Sequence, residues 1–172
     1  MTTAIMPNVI HQDVFKPLQE DKTVPGAGFI LFREIEGGRK EVNLVKGKSG
    51  KFGFPKGCRQ ESDESIKDNA FRELKEESGI EPGMFEAFDT RLIENKKKIN
   101  KVTNQPFTKV NYYFPGLMYQ EHINAPLKCD FTELLSVGWY SLDEAKSKLS
   151  NDKKWKLLEL AYQSIYGEVP LI

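Results

Sequence analysis

The sequence predicts an α/β (α+β) fold in which a mixed β-sheet is sandwiched between helices, and three observations lead to it. Residues 23–33 and 109–118 read as strands: the first enters through small residues into the apolar run Phe29-Ile30-Leu31-Phe32, and the second is rich in aromatic and β-branched residues. Ile66, Ala70 and Leu74 recur at four-residue intervals, a helical stripe. Trp155, Leu158, Ala161, Tyr162 and Ile165 give residues 152–166 a second amphipathic helix. Strands arranged around a central helix and a closing helix suggest a sheet between helical layers.

Each element follows in order. Residues 1–22 mix Pro7, Pro17, Asn8 and Gln12 with apolar residues that show no period, so an N-terminal extension, laid over the surface or partly disordered, is expected there. Residues 23–172 are then one domain. The first strand ends at Glu36-Gly37-Gly38-Arg39, a hairpin turn, and residues 41–45 return as its partner. A glycine- and lysine-rich loop leads into Phe52-Gly53-Phe54-Pro55-Lys56-Gly57, which delivers the chain to the acidic helix. Ser62 or Asp63 is the expected N-cap of that helix and Gly79 its stop. Glu81-Pro82-Gly83 is a turn, and residues 84–92 a strand. A long basic loop with Lys96, Lys97, Lys98 and Lys101 precedes the strand at 109–118. A further strand surrounds Val137-Gly138-Trp139, Leu142 opens a short helix, and Gly167 stops the helix over 152–166.

Composition bounds the function. With 172 residues, 39% of them hydrophobic, the chain can bury one proper core. Its formal net charge of zero offers no overall footprint for nucleic acid or membrane, so any such role falls to local patches. Cys58 and Cys129 form neither a disulfide framework nor a metal-ligand spacing. No apolar run is long enough to span a bilayer, and the N-terminus lacks the regions of a signal peptide. A reducing, cytoplasmic (intracellular) setting is expected, with no membrane partner; oligomeric state is left open.

The chemistry concentrates in Arg72-Glu73-Leu74-Lys75-Glu76-Glu77-Ser78-Gly79-Ile80. Residues three and four apart share a helix face, so Glu73, Glu76 and Glu77 point the same way. Each close like-charged pair costs roughly a few tenths of a kcal/mol on an exposed helix, and a divalent cation removes that cost. Clustered carboxylate oxygens suit hard ions, and magnesium fits best because it binds through a few carboxylates plus substrate phosphates. A solvated acidic face paired with Arg72 and Lys75 is the plainer alternative, but the adjacent buried stripe places the carboxylates at the margin of the core.

Residues 57–80 resemble the signature of the Nudix hydrolases: a glycine, five residues, a glutamate, seven residues, then Arg-Glu-U-x-Glu-Glu-x-Gly-U, with U a bulky aliphatic residue. The match from Glu64 to Ile80 is complete. Upstream, six residues separate Gly57 from Glu64 where the pattern has five. An extra loop residue is the expected reason; the alternative puts Asp63 in the glutamate's place with the helix register shifted. The resemblance implies the Nudix fold over about residues 23–167 and hydrolysis of a nucleoside diphosphate linked to another moiety, with magnesium (or manganese) as cofactor. It also implies that Glu73, Glu76 and Glu77 hold the metal, that the Gly57 carbonyl completes the site, and that Arg72 orients a carboxylate. Glu64 becomes a structural helix-start carboxylate. Catalytic roles fall to Glu76, Glu77, Arg72 and a further loop glutamate, expected to be Glu133 rather than Glu121. His122 is a weaker source of base chemistry.

Lys56, at the turn before the helix N-terminus, is placed to meet phosphate, with Arg59 and Lys109 as further substrate contacts. Phe107, Tyr112 and Tyr113 interleave with Lys109 and offer faces for stacking a base. The basic run at Lys96 is either a solvated loop or a holder of extra phosphates. The approach over residues 52–57 resembles that of dinucleoside polyphosphate, diphosphoinositol polyphosphate and messenger RNA decapping members, with Phe52 where they carry tryptophan. A phosphorylated small molecule, either a dinucleoside polyphosphate or a diphosphoinositol polyphosphate, is therefore the expected substrate. Hydrolysis of an mRNA cap or RNA 5′-end is the second reading, and a non-catalytic nucleotide-binding module of the same fold the third.

Overall fold

Ala27, Phe29 and Leu31 alternate with Ile30 and Phe32 along one strand, and all five are fully buried because each set packs into a separate core. That strand, β2 (Thr23–Ile35), is covered on both faces there, which is why Phe29-Ile30-Leu31-Phe32 is apolar without a break. The computed structural model describes residues 4–6, 23–149 and 151–170. Among them the strands are β1 (Ala4–Met6), β2, β3 (Arg39–Gly47), β4 (Phe52–Gly53), β5 (Lys56–Cys58), β6 (Phe85–Ala87), β7 (Arg91–Ile99), β8 (Pro106–Met118) and β9 (Leu134–Ser141). The helices are α1 (Ile66–Ser78), α2 (Leu142–Lys148) and α3 (Asp152–Tyr166).

The strands run in the order β1-β7-β8-β2-β3-β4, with β5 paired to β2, β6 to β8 and β9 to β3. β2 and β8 are parallel from Thr23↔Thr108 to Phe32↔Leu117, whereas the other pairs are antiparallel, so the sheet is mixed. α1 covers one face: Ile66, Ala70 and Leu74 join Phe29, Phe85 and Phe114. α2 and α3 cover the other, where Ala145, Leu157, Leu158 and Ala161 meet Ile30, Phe32, Leu44 and Tyr113. The sandwich expected from sequence is the fold observed, and no helix among the described residues is long and apolar enough to cross a membrane.

Three local readings change. α1 is capped by Ser65, whose hydroxyl accepts from the Asp68 N–H at 2.9 Å, and not by Ser62 or Asp63. The expected strand at 84–92 breaks into β6 and β7, because Pro82–Met84 forms a single helical turn and the pairing with β8 restarts at Leu92↔Tyr113. The expected basic loop is strand: Lys96, Lys97 and Lys98 lie in β7, paired with Lys109, Thr108 and Phe107 of β8. Of the expected N-terminal extension, Ala4–Met6 pairs with β7; residues 1–3 and 7–22 lie outside the described residues.

Close approach of backbone positions the site. A Cβ on Gly28 would overlap the Pro55 carbonyl, so a glycine here lets the turn before β5 lie flat against β2. At the far end of α1, Gly79 takes φ 75° and its N–H closes on the Lys75 carbonyl, which stops the helix one residue after the acidic run.

Candidate active site

The buried stripe of α1 turns Glu73 and Glu77 toward the β5 turn. Glu73 is 7% exposed, Glu77 half-buried and Glu76 exposed, so the three carboxylates grade from core margin to solvent. Glu77 Oε1 accepts from the Lys56 backbone N–H at 3.0 Å. Gly57 has no Cβ where the Glu73 carboxylate lies, and its carbonyl accepts from Asn69 Nδ2 at 3.3 Å. The turn and the helix are therefore fastened by the same groups that carry the charge.

Arg72 gathers the remaining acids. Its Nε and Nη2 each donate to one oxygen of Asp63 at 2.9 Å, its Nη1 donates to Glu73 Oε1 at 2.9 Å and to Glu76 Oε2 at 3.2 Å, and Nη2 also reaches the Cys58 carbonyl. Asp63 is 4% exposed and also accepts from the Gln60 N–H at 2.8 Å. Burial alone would raise the Asp63 pKa, but the hydrogen bonds from Arg72 and Gln60 hold it below the ordinary aspartate value.

Glu64, the expected helix-start carboxylate, is exposed instead. Asp63 takes the place opposite Arg72, with five residues between it and Gly57, and the helix keeps its register; the extra residue is absorbed between Asp63 and the Ser65 cap.

The electrostatics of Glu73 and Glu77 are those of charges held at a cost. Burial raises the Glu77 pKa to about 7, only partly countered by the Lys56 N–H, with repulsion from Glu73 and Glu133 adding to the rise. Glu73 is raised by burial against the pull of Arg72, with Glu76 and Glu133 again adding. Glu133, in the turn before β9, is exposed, yet its charge reaches both buried carboxylates. Glu121 sits in the turn Gln120–His122, tied through Gln120 to the Glu34 carbonyl at the opposite end of β2 from the Gly26–Gly28 pairing with β5. His122 shares that turn.

The expected metal set is Glu73, Glu76, Glu77 and the Gly57 carbonyl. Among the described residues no three acidic, histidine or cysteine side chains already converge on one point. The reason is visible: Arg72 is the positive charge opposite Glu73 and Glu76, while the Lys56 N–H holds Glu77. The donors nevertheless fit a hard divalent cation. They are all oxygen, two carry pKa values raised by burial and mutual repulsion, and the glycine leaves the Glu73 carboxylate room against the turn.

Beside Glu77 lies a cleft of about 350 Å³, lined by Glu77, Lys56, Lys96, Lys154, Phe52 and Asn151 among others. Burial, together with repulsion from Lys109, Lys154 and Lys96, lowers the Lys56 pKa to about 8. The expected contacts Lys56 and Lys109 thus share one field. The charge of Arg59 acts on Asp63, and its backbone N–H donates to the Pro25 carbonyl at 3.1 Å. Tyr113 is fully buried, its ring against Phe54 at 5.6 Å, so it has no face for a base. Tyr112 packs toward the α1 core.

Sequence reasoning held Asp63 only as the alternative to Glu64, and it missed Glu94 and Lys154. Lys154 Nζ lies 3.1 Å from Glu94 Oε1 and 3.2 Å from the Tyr113 hydroxyl, with Lys154 7% and Glu94 2% exposed. The signal was available for Lys154, which precedes Leu157, Leu158 and Ala161 by three, four and seven residues and so falls on the apolar stripe of α3. Glu94 gave no comparable sign.

No curated protein matches the chain in sequence. Solved structures share its fold: an Ap4A hydrolase from C. elegans in a binary complex (TM-score 0.67, 20% identity, covering 84% of this chain and 98% of that one) and the NUDIX domain of NrtR from Shewanella oneidensis in complex with ADP ribose (TM-score 0.64, 19% identity, 88% and 94%). A MutT protein from Methanosarcina mazei Go1 is similar as well (TM-score 0.55, 20% identity, 87% and 99%). The model of the NUDIX domain matches residues 22–161, which takes in the β5 turn, the whole of α1 and the strands that flank them, and the chain therefore belongs to the NUDIX domain family.

Proposed function

We propose that this chain, a Nudix pyrophosphohydrolase, cleaves a diphosphate linkage in a nucleoside diphosphate-X type substrate, foremost a dinucleoside polyphosphate or a diphosphoinositol polyphosphate. Residues 23–172 form the catalytic domain in this reading and residues 1–22 an extension of it. One observation carries it: of two neighbouring carboxylates held at a cost, Glu73 and Glu77, the second lines a cleft whose other walls carry Lys56, Lys96 and Lys154. Acids that attract a hard cation beside bases that attract phosphate are what diphosphate hydrolysis needs.

Glu73, Glu76 and Glu77 would hold the magnesium or manganese, with the Gly57 carbonyl beside Glu73. When bound, the ion supplies positive charge against the diphosphate oxygens and acidifies water for attack. The chain's own residues do the rest. Arg72 fixes Glu73 and Glu76 through one planar fork braced on Asp63, so these carboxylates are oriented before substrate arrives. The Lys56 N–H does the same for Glu77. The Lys56 ammonium meets the substrate's phosphates, and Glu133 is the proposed additional carboxylate at the reacting water.

The test is a panel of dinucleoside polyphosphates, diphosphoinositol polyphosphates, capped RNA and NADH, incubated with magnesium or manganese in heavy-oxygen water and read by mass spectrometry. Label is expected in a phosphate product of the first two classes. Turnover confined to capped RNA would move the assignment to RNA 5′-ends, and tight binding of one nucleotide with no turnover of anything would make the chain a binding module.

A further inference from the structure

We propose that the lysine-lined cleft is a subsite for phosphate groups beyond the diphosphate that is cleaved, so that the chain selects anions carrying at least three phosphates. The proposal rests on the diphosphate-cleavage reading for its biological use, but its own basis is a separate cluster of charge.

That cluster is assembled from three parts of the fold. Lys56 comes from β5, Lys96 and Lys109 from the β7–β8 pair, and Lys154 from the first turn of α3, whose cap Asn151 also lines the cleft. Lys96 and Lys109 are direct cross-strand partners. Like charges in that relation weaken a sheet, and nothing in the folding of a hairpin calls for them. Lys154 lies on the buried stripe of its helix, where an apolar residue would pack without desolvating an ammonium.

The acids present do not balance these bases. Among the described residues, Glu94 Oε1 serves both Lys154, at 3.1 Å, and Lys96, at 3.9 Å, and Glu77 acts on Lys56, so two carboxylates face four lysines. Glu94 is itself anchored by Asn111 Nδ2 at 3.2 Å, so it fixes Lys154 at the cleft wall without neutralising the group. Lys96, Lys109 and Lys154 all lie close enough to Lys56 for their charges to repel it. Four ammonium groups of this kind match the separated charges of a phosphate chain or a phosphorylated ring, and a single diphosphate held at Glu77 would leave the far ones unused.

Titration calorimetry with the full chain in EDTA, where no turnover occurs, tests this with three probes: inorganic pyrophosphate, inorganic tripolyphosphate and inositol hexakisphosphate. Tripolyphosphate or the hexakisphosphate is expected to bind about tenfold or more tighter than pyrophosphate, the effect of one added charge-assisted contact. Which of the two binds tighter distinguishes a linear from a ring-borne source. The double variant Lys96→Gln, Lys109→Gln should bring all three within about twofold, while Lys96→Arg with Lys109→Arg retains the preference and shows that the hairpin still folds. Lys97→Gln with Lys101→Gln removes the same net charge from exposed positions and should keep the preference. Equal affinities in the wild type, or a preference that survives the Gln pair or is lost in the Lys97 and Lys101 pair, would overturn the subsite. Hydrolysis of a diphosphate without any such preference would overturn the subsite alone, whereas the preference without hydrolysis would overturn the diphosphate-cleavage reading alone.

Discussion

At Gly57 the missing side chain decides how near Glu73 comes to the β5 turn. A methyl group there would overlap the Glu73 carboxylate, so Gly57→Ala must push Glu73 off Arg72 or lift the turn from α1. Turnover in Gly57→Ala is expected to fall by about tenfold or more, the scale of a ligand-supporting contact, with the far-UV spectrum unchanged. A wild-type kcat would show that the close approach is incidental. Asp63 carries a second prediction. Its pKa lies below the ordinary aspartate value, so it adds stability that is fully present above about pH 4 and is lost as pH falls through the folded-state value. Urea midpoints between pH 5 and pH 2.5 should therefore drop more for the wild type than for Asp63→Asn; parallel drops would contradict the pairing. Asp63 also shows where residue-level legibility stops. The run from Arg72 to Ile80 could be read directly because helical spacing is rigid, whereas choosing between Asp63 and Glu64 depended on where one extra residue was absorbed in a turn, and a turn has no period to read.

The helices were legible where their stripes were simple. The bounds of α3 follow from its apolar spacing and from Gly167, but a stripe drawn from apolar residues alone passes over Lys154, which lies on it and is buried. The basic stretch before β8 reads as loop because lysines are poor strand formers, and its pairing partner, nine to thirteen residues downstream at Lys96↔Lys109 to Lys98↔Phe107, leaves no local mark. Burial lowers the Lys154 pKa to about 8 despite the attraction of Glu94, and Lys56 is lowered to about 8 as well. Both lysines bind protons more weakly folded than unfolded. The unfolded chain thus holds more protons between about pH 8 and the ordinary lysine value near 10.5, and stability contributed by these groups rises with pH across that window. Lys154→Met should flatten the rise, both by removing one group and by relieving Lys56 of a repelling charge. The check is the urea midpoint at pH 7.5 and 9.5 in each protein; a wild type with no rise would contradict the burial argument.

Across the whole molecule, the site is where two packing layers meet at the sheet's margin. Through the pairing of β2 with both β5 and β8, and of β8 with β7, Glu77 of α1 comes to line the same cleft as Lys56, Lys96 and Lys154. The sequence order of elements made the sandwich foreseeable, but not this juxtaposition, because Lys96, Lys109 and Lys154 are far from α1 along the chain. Such an arrangement spends stability on function. Glu77→Gln in EDTA removes one of the crowded carboxyl charges, and its thermal midpoint is expected to equal or exceed that of the wild type; a clear drop would show that Glu77 is there for the fold. The central claim, that these carboxylates cleave a diphosphate, meets its most direct test in the same variant. Steady-state turnover of a dinucleoside polyphosphate with magnesium should fall by about a hundredfold or more in Glu77→Gln, the loss expected when a charge stabiliser is removed from a reacting centre. Turnover equal to that of the wild type would contradict the account.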